Sequence, residues 1–404
     1  MTEPVRILRI AAGGDGVGRL ADGRTVFIPR TAPGDLVDPA EVRLHARFAR
    51  ARLGRLLAPG ADRIEPPCRH YDADSCGGCQ LQHLGREAQR TARRAIVGDA
   101  LRRIGRLDTP DPVLEAGAEE LHYRTRITLA LDPAGRRAGF HRLGEADEVF
   151  ELERCEIADE RLNQLWFVVR NASGEWPPAL RQIVLRVGRD GSAHLIFRGP
   201  VRPDLHLTHR IDAAIWWEPP DQPPRLVSEL AVAAGVIPPG VFEQVHPAMA
   251  SRVRDYALAQ LGPVARHHVW DLYAGVGETS AALATAGATV ESVEVDQDAV
   301  QVAEQRGPRQ GVTRYLGRVE DWVAQLRRPD AVVTNPPRTG MDPRVVRDLA
   351  SARPRLLVYI SCDPATLARD LAGFRERYRV DDVRAFDLFP QTAHVETVVR
   401  LEVR

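Results

Sequence analysis

The stretch from residue 241 to 404 constrains this chain more than any other, because apolar β-rich runs and helical stretches alternate along it. HHVWDLYAG, ATVESVEV, DAVVTN, RLLVYIS and VETVVRLEV are five such runs, and GVTRYLG is a weaker sixth. Strands alternating with helices build a doubly wound sheet, whose ligands bind outside the carboxyl ends of the strands. The pattern predicts a Rossmann-like domain over 241–404 with its distinctive residues on one rim. Residues 1–60 read differently: short alternating runs punctuated by Gly and Pro predict a small OB-like β-barrel. Residues 61–240 are mixed. REAQRTARRAIVGDALRRIG (86–105) predicts an amphipathic helix with Val97, Ala100, Leu101 and Ile104 inward and most of its Arg outward. RTRITLALD and QIVLRVG predict strands, and the Pro-rich WWEPPDQPPR (216–225) predicts a loop. The expected fold class is a multi-domain α/β chain: barrel 1–60, central α+β domain 61–240 and Rossmann-like domain 241–404.

WDLYAGVGETS places an acidic residue and then Gly275-x-Gly277 at a strand end that opens a helix, where glycine lets the backbone approach a ligand closely. Glu294 ends the next strand, 17 residues after Gly277, where a carboxylate can accept ribose hydroxyls. A dinucleotide fingerprint would need a third glycine where this chain has Ser280. S-adenosylmethionine, which has a ribose but no pyrophosphate, fits better.

Two further strand ends share that rim. One carries Asn335-Pro336-Pro337-Arg338 and the other Ser361-Cys362-Asp363-Pro364, while Glu396 stands in FPQTAHVETV near the C-terminus. A Cys just before a helix start can have a lowered thiol pKa. On their own, Cys362 reads more often as a buried apolar-like thiol and Glu396 as a surface or paired carboxylate. Three of the five cysteines, Cys68, Cys76 and Cys79, fall within twelve residues, and with Cys155 they give C-x7-C-x2-C…C. Four thiolates suit a [4Fe-4S] cluster or zinc, and the spacing leaves both open beside unligated thiols. His70 and His83 are further zinc candidates that read better as local packing residues.

YISCDPATLARDL and DLFPQTAHVETV closely resemble the RNA uracil-5-methyltransferase family, whose wording is S-C-N-P-A-T-L-x-R-D-L and F-P-x-T-x-H-V-E. Phe242-Glu243-Gln244-Val245-His246 resembles the family's F-x-Q-V-N, Asp271–Gly277 its D-L-Y-C-G-x-G, and Asn335–Arg338 its D-P-P-R. The N-terminal segment through Pro33-Gly34 resembles the TRAM domain, a small RNA-binding barrel, and CGGCQLQHL resembles the family's cluster-binding segment. The resemblance implies S-adenosylmethionine-dependent methylation of uridine C5 in RNA. Cys362 would be the nucleophile and Glu396 the base, with Gln244, Tyr273, Gly275, Gly277, Glu294 and Asn335 at the cofactor. It also implies a [4Fe-4S] cluster on Cys68, Cys76, Cys79 and Cys155. Three residues depart from the pattern: Asn335 for Asp, Asp363 for the Asn after the nucleophile, and His246 for Asn. A carboxylate beside Cys362 should oppose thiolate formation unless it is turned away or paired. The first two cluster cysteines are separated by seven residues rather than the usual five.

Formal net charge is zero, and all 55 basic residues are Arg. Composition bias explains that choice, but Arg forks still suit phosphates and base faces. Arg43–Arg55 and Arg86–Arg106 are candidate RNA-backbone contacts. No apolar run is long enough for a membrane span and MTEPVRILRI has no apolar signal-peptide core, so a cytoplasmic protein is expected, with a monomer as the default. The barrel and cluster resemble the enzymes of large-subunit rRNA more than those of tRNA. Two other readings are an exocyclic-amine methyltransferase, from Asn-Pro-Pro, and an inactive RNA-binding module.

Overall fold

The computed structural model describes residues 3–172, 176, 179–202, 211–227, 238, 240–307 and 310–404. Residues 203–210 and 228–237, within the expected central domain, lie outside the described residues. The chain forms two compact units. One holds 1–96, 118–230 and 389–394; the other holds 97–117, 231–388 and 395–404. The helix Arg86–Arg103 crosses that division between Ile96 and Val97.

The first unit has two sheets. Its N-terminal sheet has six strands, and both of its ends lie in one segment: Val5 pairs with Val37, while Arg9 pairs with Val17. The sheet therefore closes on itself around Val5, Ile7, Val26, Ile28, Val37 and Ala49. Its long hairpin, Leu36–Leu44 with Phe48–Ala58, carries the Arg-rich sequence. Asp35, fully buried, caps the closure. It accepts from Ala32 N at 2.7 Å, Gly60 N at 2.8 Å and the Arg63 guanidinium at 2.6 Å. The second sheet has seven strands and is covered by the helix Glu160–Ala172 through Leu162, Trp166 and Val169. Here the expected loop at 216–225 is corrected: Trp216 and Trp217 belong to the strand Ala214–Glu218, paired in parallel with Ala193–Arg198. Their aromatic rings favour the strand, and only the Pro-rich residues after Glu218 turn.

The second unit is built on eight strands. Val312–Leu316, Thr289–Glu294, His268–Leu272, Ala331–Thr334 and Leu356–Ser361 lie side by side in that order, all parallel. The chain begins at His268–Leu272, winds outward twice, then returns to the other side at Ala331–Thr334. That reversal opens a crevice at the carboxyl ends of those two strands. Glu396–Val403 follows antiparallel to Leu356–Ser361, then Tyr378–Phe386, then Val113–Glu115. Of the four residues expected to face inward on the 86–105 helix, Val97 and Leu101 are fully buried, Ala100 is half-buried, and Ile104 is 47% exposed beyond the helix end. Arg93 is an exception to the mostly outward arginines: it is buried and donates to Thr392 O at 3.0 Å.

Removing Asp35 would leave the Arg63 guanidinium without its counter-charge and two amides unmet. Asp35→Ala is therefore expected to cost about 3 kcal/mol, read as a lowered urea midpoint. An unchanged midpoint would show that the network does not hold the barrel closed.

Candidate active site and cysteine centre

The register of one antiparallel pair sets the heart of the site. Ser361 pairs with Thr397, the last pair of that ladder, so Cys362 leaves the strand end close enough to Glu396 for its charge to act on the thiol. Cys362 is half-buried and Glu396 is 1% exposed. Burial pushes the Glu396 carboxyl up to about 8, the nearby Arg338 guanidinium opposing that rise. Its Oε2 is buried without a hydrogen-bond partner among the described residues. The Cys362 thiol is raised as well, by burial first and by the Glu396 charge second, and Arg338, within hydrogen-bonding reach, pulls it back. The lowered thiol expected from the helix start is thus corrected: burial and the facing carboxyl outweigh the helix terminus.

The same helix start explains Asp363. It is the N-cap of Pro364–Phe374, and its Oδ1 accepts from Ala365 N at 3.0 Å and Thr366 N at 2.8 Å. The carboxylate is turned into the helix terminus and paired with its amides. Arg338 is the residue that the sequence reading left out. It was quoted in the Asn335–Arg338 motif without a role, because its proximity to Cys362 depends on how two separate loops converge.

The cofactor candidates gather at the crevice. Tyr273, Gly275 and Gly277 follow His268–Leu272 with φ of 61°, 53° and 75°, a left-handed turn that Tyr273 adopts only under strain. Space above Gly275 is open, whereas a side chain at Gly277 would strike Ala303 Cβ at 2.8 Å. Glu294, at the end of Thr289–Glu294, accepts from Gly275 N at 2.8 Å, and its other oxygen accepts from Val295 N at 2.8 Å and Asp296 N at 2.9 Å. Buried Asp271 accepts from Ser280 Oγ at 2.5 Å, and burial raises it to about 6. Gln244 is half-buried just ahead of Pro247–Leu261. Its neighbour Val241 packs on Ala299 and Val302 of the helix that follows Glu294. Asn335 is exposed at the end of Ala331–Thr334, and its N–H donates to Leu272 O at 3.2 Å. His246 is buried at the start of its helix.

In the other unit, Cys68, Cys76, Cys79 and Cys155 line one cavity of about 200 Å³, with His70, Gln82, Arg124 and Arg154. All four are free thiols. Burial raises each, Cys76 to about 11 and Cys155 to about 12. Among the described residues, no three His, Cys, Asp or Glu side chains are placed to hold a single metal ion. The Cys loop is held from outside. Arg30 lies over the Tyr71 ring at 4.3 Å, donates to Tyr71 O, and donates to Cys76 O at 3.0 Å. Cys68 N donates to Gln82 Oε1 and Cys155 N to Asn163 Oδ1. His70 bonds Asp74 and Glu153 N, and His83 bonds the Tyr71 hydroxyl, so both act as local packing residues.

The family model described as tRNA (uracil-5-)-methyltransferase matches residues 310–404. The 23S rRNA (uracil(1939)-C(5))-methyltransferase RlmD of Halomonas elongata is 32% identical, over 97% of this chain and 88% of that one. An uncharacterized RNA methyltransferase of Thermosynechococcus vestitus is 31% identical over 99% of this chain and 98% of its own length. The crystal structure of Pyrococcus abyssi tRNA (uracil-54, C5)-methyltransferase with S-adenosyl-L-homocysteine shares the fold over 99% of both chains, with a TM-score of 0.74 and 24% identity.

The raised Glu396 carboxyl has a stability consequence of definite sign. Below its ordinary value of 4.5 it is protonated in folded and unfolded chains alike and contributes nothing. Between 4.5 and about 8 the folded protein keeps a proton that the unfolded chain releases, so stability falls as pH rises. Glu396→Gln removes this penalty. The variant should be the more stable protein, by up to about 4 kcal/mol at the alkaline end, with the gap in urea midpoint widening across that window. A gap independent of pH would show that Glu396 is not held protonated.

Proposed function

Because the chain belongs to the RNA uracil-5-methyltransferase family of S-adenosylmethionine-dependent enzymes, we propose that Cys362 is its nucleophile and Glu396 its base. The observation that carries this is a half-buried thiol, just past the end of Leu356–Ser361, that feels the charge of a buried carboxyl whose Oε2 has no partner among the described residues. Uracil C5 is a poor nucleophile. Attack of Cys362 Sγ on C6 moves the electron pair of the C5–C6 double bond onto C5, which can then accept a methyl group. S-adenosylmethionine, when bound, supplies that methyl as an electrophilic sulfonium substituent. Glu396 then takes the C5 proton, the C5–C6 double bond re-forms, and the thiolate leaves. Arg338 stabilises the thiolate before attack and after release. Because Glu396 is buried, its carboxylate is poorly solvated and correspondingly basic once ionised.

The cofactor would lie on the turn Tyr273–Gly277, with Glu294 toward its ribose and Gln244 and Asn335 at the crevice edges. The open space over Gly275 fits this placement. Three buried thiols and the half-buried Cys155 around one cavity fit a [4Fe-4S] cluster on Cys68, Cys76, Cys79 and Cys155, since a cluster presents four separated iron sites. A lone zinc ion would draw the four sulfurs onto one point and close that cavity. The group would clamp Cys155 to the 68–79 loop and supply structural cross-linking.

The closed N-terminal sheet is read as a TRAM-type RNA-binding barrel. Several Arg expected on phosphates are engaged instead: Arg50 with Asp15, Arg52 with Glu41 and Glu145, Arg86 with Glu120, and Arg102 with Asp111. The hairpin end offers a different surface. His45 stacks on Phe48 at 4.4 Å, Phe48 meets Phe27 edge-on at 6.0 Å, and the Arg50 guanidinium lies 5.8 Å from the Phe27 ring. Stacked rings beside arginine suit unpaired bases. Large-subunit rRNA is the first substrate reading, supported by the rRNA relative at 32% identity over nearly the whole chain. A tRNA is the second, supported by the matching family model's description.

The test is incubation with cellular RNA containing 5-fluorouridine and with S-adenosylmethionine. Fluorine cannot leave as a proton does, so a denaturation-resistant protein–RNA adduct should accumulate. Cys362→Ala should form none, and sequencing the trapped RNA assigns rRNA or tRNA. An adduct that survives Cys362→Ala, or none with either RNA, would remove Cys362 as the nucleophile.

A further inference from the structure

The helix that begins beside the nucleophile also grips the loop that carries Arg338. That loop, 335–341, leaves the strand Ala331–Thr334 and turns at Gly340, whose φ is 76°. Three neighbouring backbone groups of the loop are held by one face of Pro364–Phe374. Thr366 Oγ1 donates to Arg338 O at 3.1 Å, and Arg369 Nη2 donates to Thr339 O at 2.8 Å. Asp370 Oδ2 accepts from Met341 N at 2.8 Å. The same oxygen accepts from the Tyr359 hydroxyl at 2.7 Å, and Oδ1 accepts from Arg369 Nε at 2.9 Å and Nη2 at 2.7 Å. Asp370 is 4% exposed. Tyr359 lies on the strand that ends at Ser361, so Asp370 joins the nucleophile's strand to the Arg338 loop. A side chain at position 340 would stand 2.6 Å from Asp370 Oδ2, so the helix packs closely against the turn.

We propose that Asp370 and Thr366 are positioning residues that fix the Arg338 guanidinium against Cys362. The proposal rests on the reading of Cys362 as the nucleophile. The groups that face the thiol define the electrostatics. Arg338 comes from this loop and Glu396 from the neighbouring strand, while Asp363, on the thiol's own segment, is taken up by helix N–H groups. Among the described residues, Arg338 is the cation that chiefly supports the thiolate. Attraction between unit charges falls with separation, so a loosened loop weakens the support that the thiolate receives. The R-D pair of the TLARDL run thereby serves the chemistry from outside the site.

The test uses the full-length protein and follows iodoacetamide alkylation of Cys362 against pH, by mass spectrometry of the Cys362 peptide. Arg338→Met, Asp370→Asn and Thr366→Val are compared, with S-adenosylmethionine affinity as the measure of general damage. Arg338→Met should move the alkylation midpoint to higher pH. Asp370→Asn and Thr366→Val should move it in the same direction by less, slowing alkylation below the midpoint by about threefold or more, half a pH unit, with cofactor affinity unchanged. If Arg338→Met shifts the midpoint and the other two coincide with the parent, the positioning role is overturned. If Arg338→Met leaves the midpoint in place, Arg338 is not the thiolate's counter-charge and the underlying reading fails first. Should Asp370→Asn lose cofactor binding, Thr366→Val decides, since it removes a single hydroxyl.

Discussion

A carboxyl at 1% exposure beside a half-buried thiol, with one guanidinium near both, sets the terms for the rest of the active site. Burial disfavours the charged form of each acid, and each charge disfavours the other. The site thus holds two latent anions and one cation. In the proposed mechanism covalent attack would resolve the conflict, because a thiolate bonded to uracil C6 no longer carries charge and the carboxyl could then release its proton to solvent and ionise beside Arg338. The arrangement depends on a mixed sheet. Five parallel strands form the cofactor crevice, and one antiparallel return brings Glu396 alongside the strand of Cys362. A parallel neighbour in that place would not bring the chain back across the same rim with this register.

The first unit uses charge differently. Its arginines are mostly spent on carboxylates, on backbone carbonyls or, for Arg93, in the interior. This is how a chain with equal numbers of acidic and basic residues keeps 55 Arg without a uniformly basic surface. On the proposed reading, recognition of RNA would depend on local clusters such as the His45–Phe48–Phe27 stack rather than on a general field. Arg30, reaching from the barrel to Tyr71 and Cys76, ties the barrel to the cysteine loop within the same unit.

Much of this was legible in the sequence, for reasons that differ by residue. Four of the parallel strands are largely buried on both faces and read as continuous apolar runs, whereas Val312–Leu316 at the sheet edge is partly exposed and reads weakly; the glycine turn and Glu294 lie at fixed places relative to the buried strands. Tyr378–Phe386 was not read as a strand, because YRVDDVRAF alternates charge with apolar residues near the sheet edge. Trp216 and Trp217 were assigned to a loop on the strength of the prolines behind them. Cys362 and Glu396 stood out by long motifs, whereas Arg338 acquires its role only when its loop folds onto the helix Pro364–Phe374. Asp363 looked like an obstacle to the thiolate. Its carboxylate is the cap of the very helix that follows the nucleophile, a role that Asp363 directly before Pro364 already signals in the sequence.

The central claim is that Glu396 removes the C5 proton after the thiol has bonded to C6. The most direct measurement is the fate of ordinary uridine-containing substrate RNA and methyl-labelled S-adenosylmethionine with Glu396→Gln, analysed under denaturing conditions. The account predicts a covalent protein–RNA species that carries the labelled methyl and releases little free product, because C5 retains its proton and the sulfur cannot leave. Release of 5-methyluridine RNA at the parent rate, with no labelled covalent species, would contradict it.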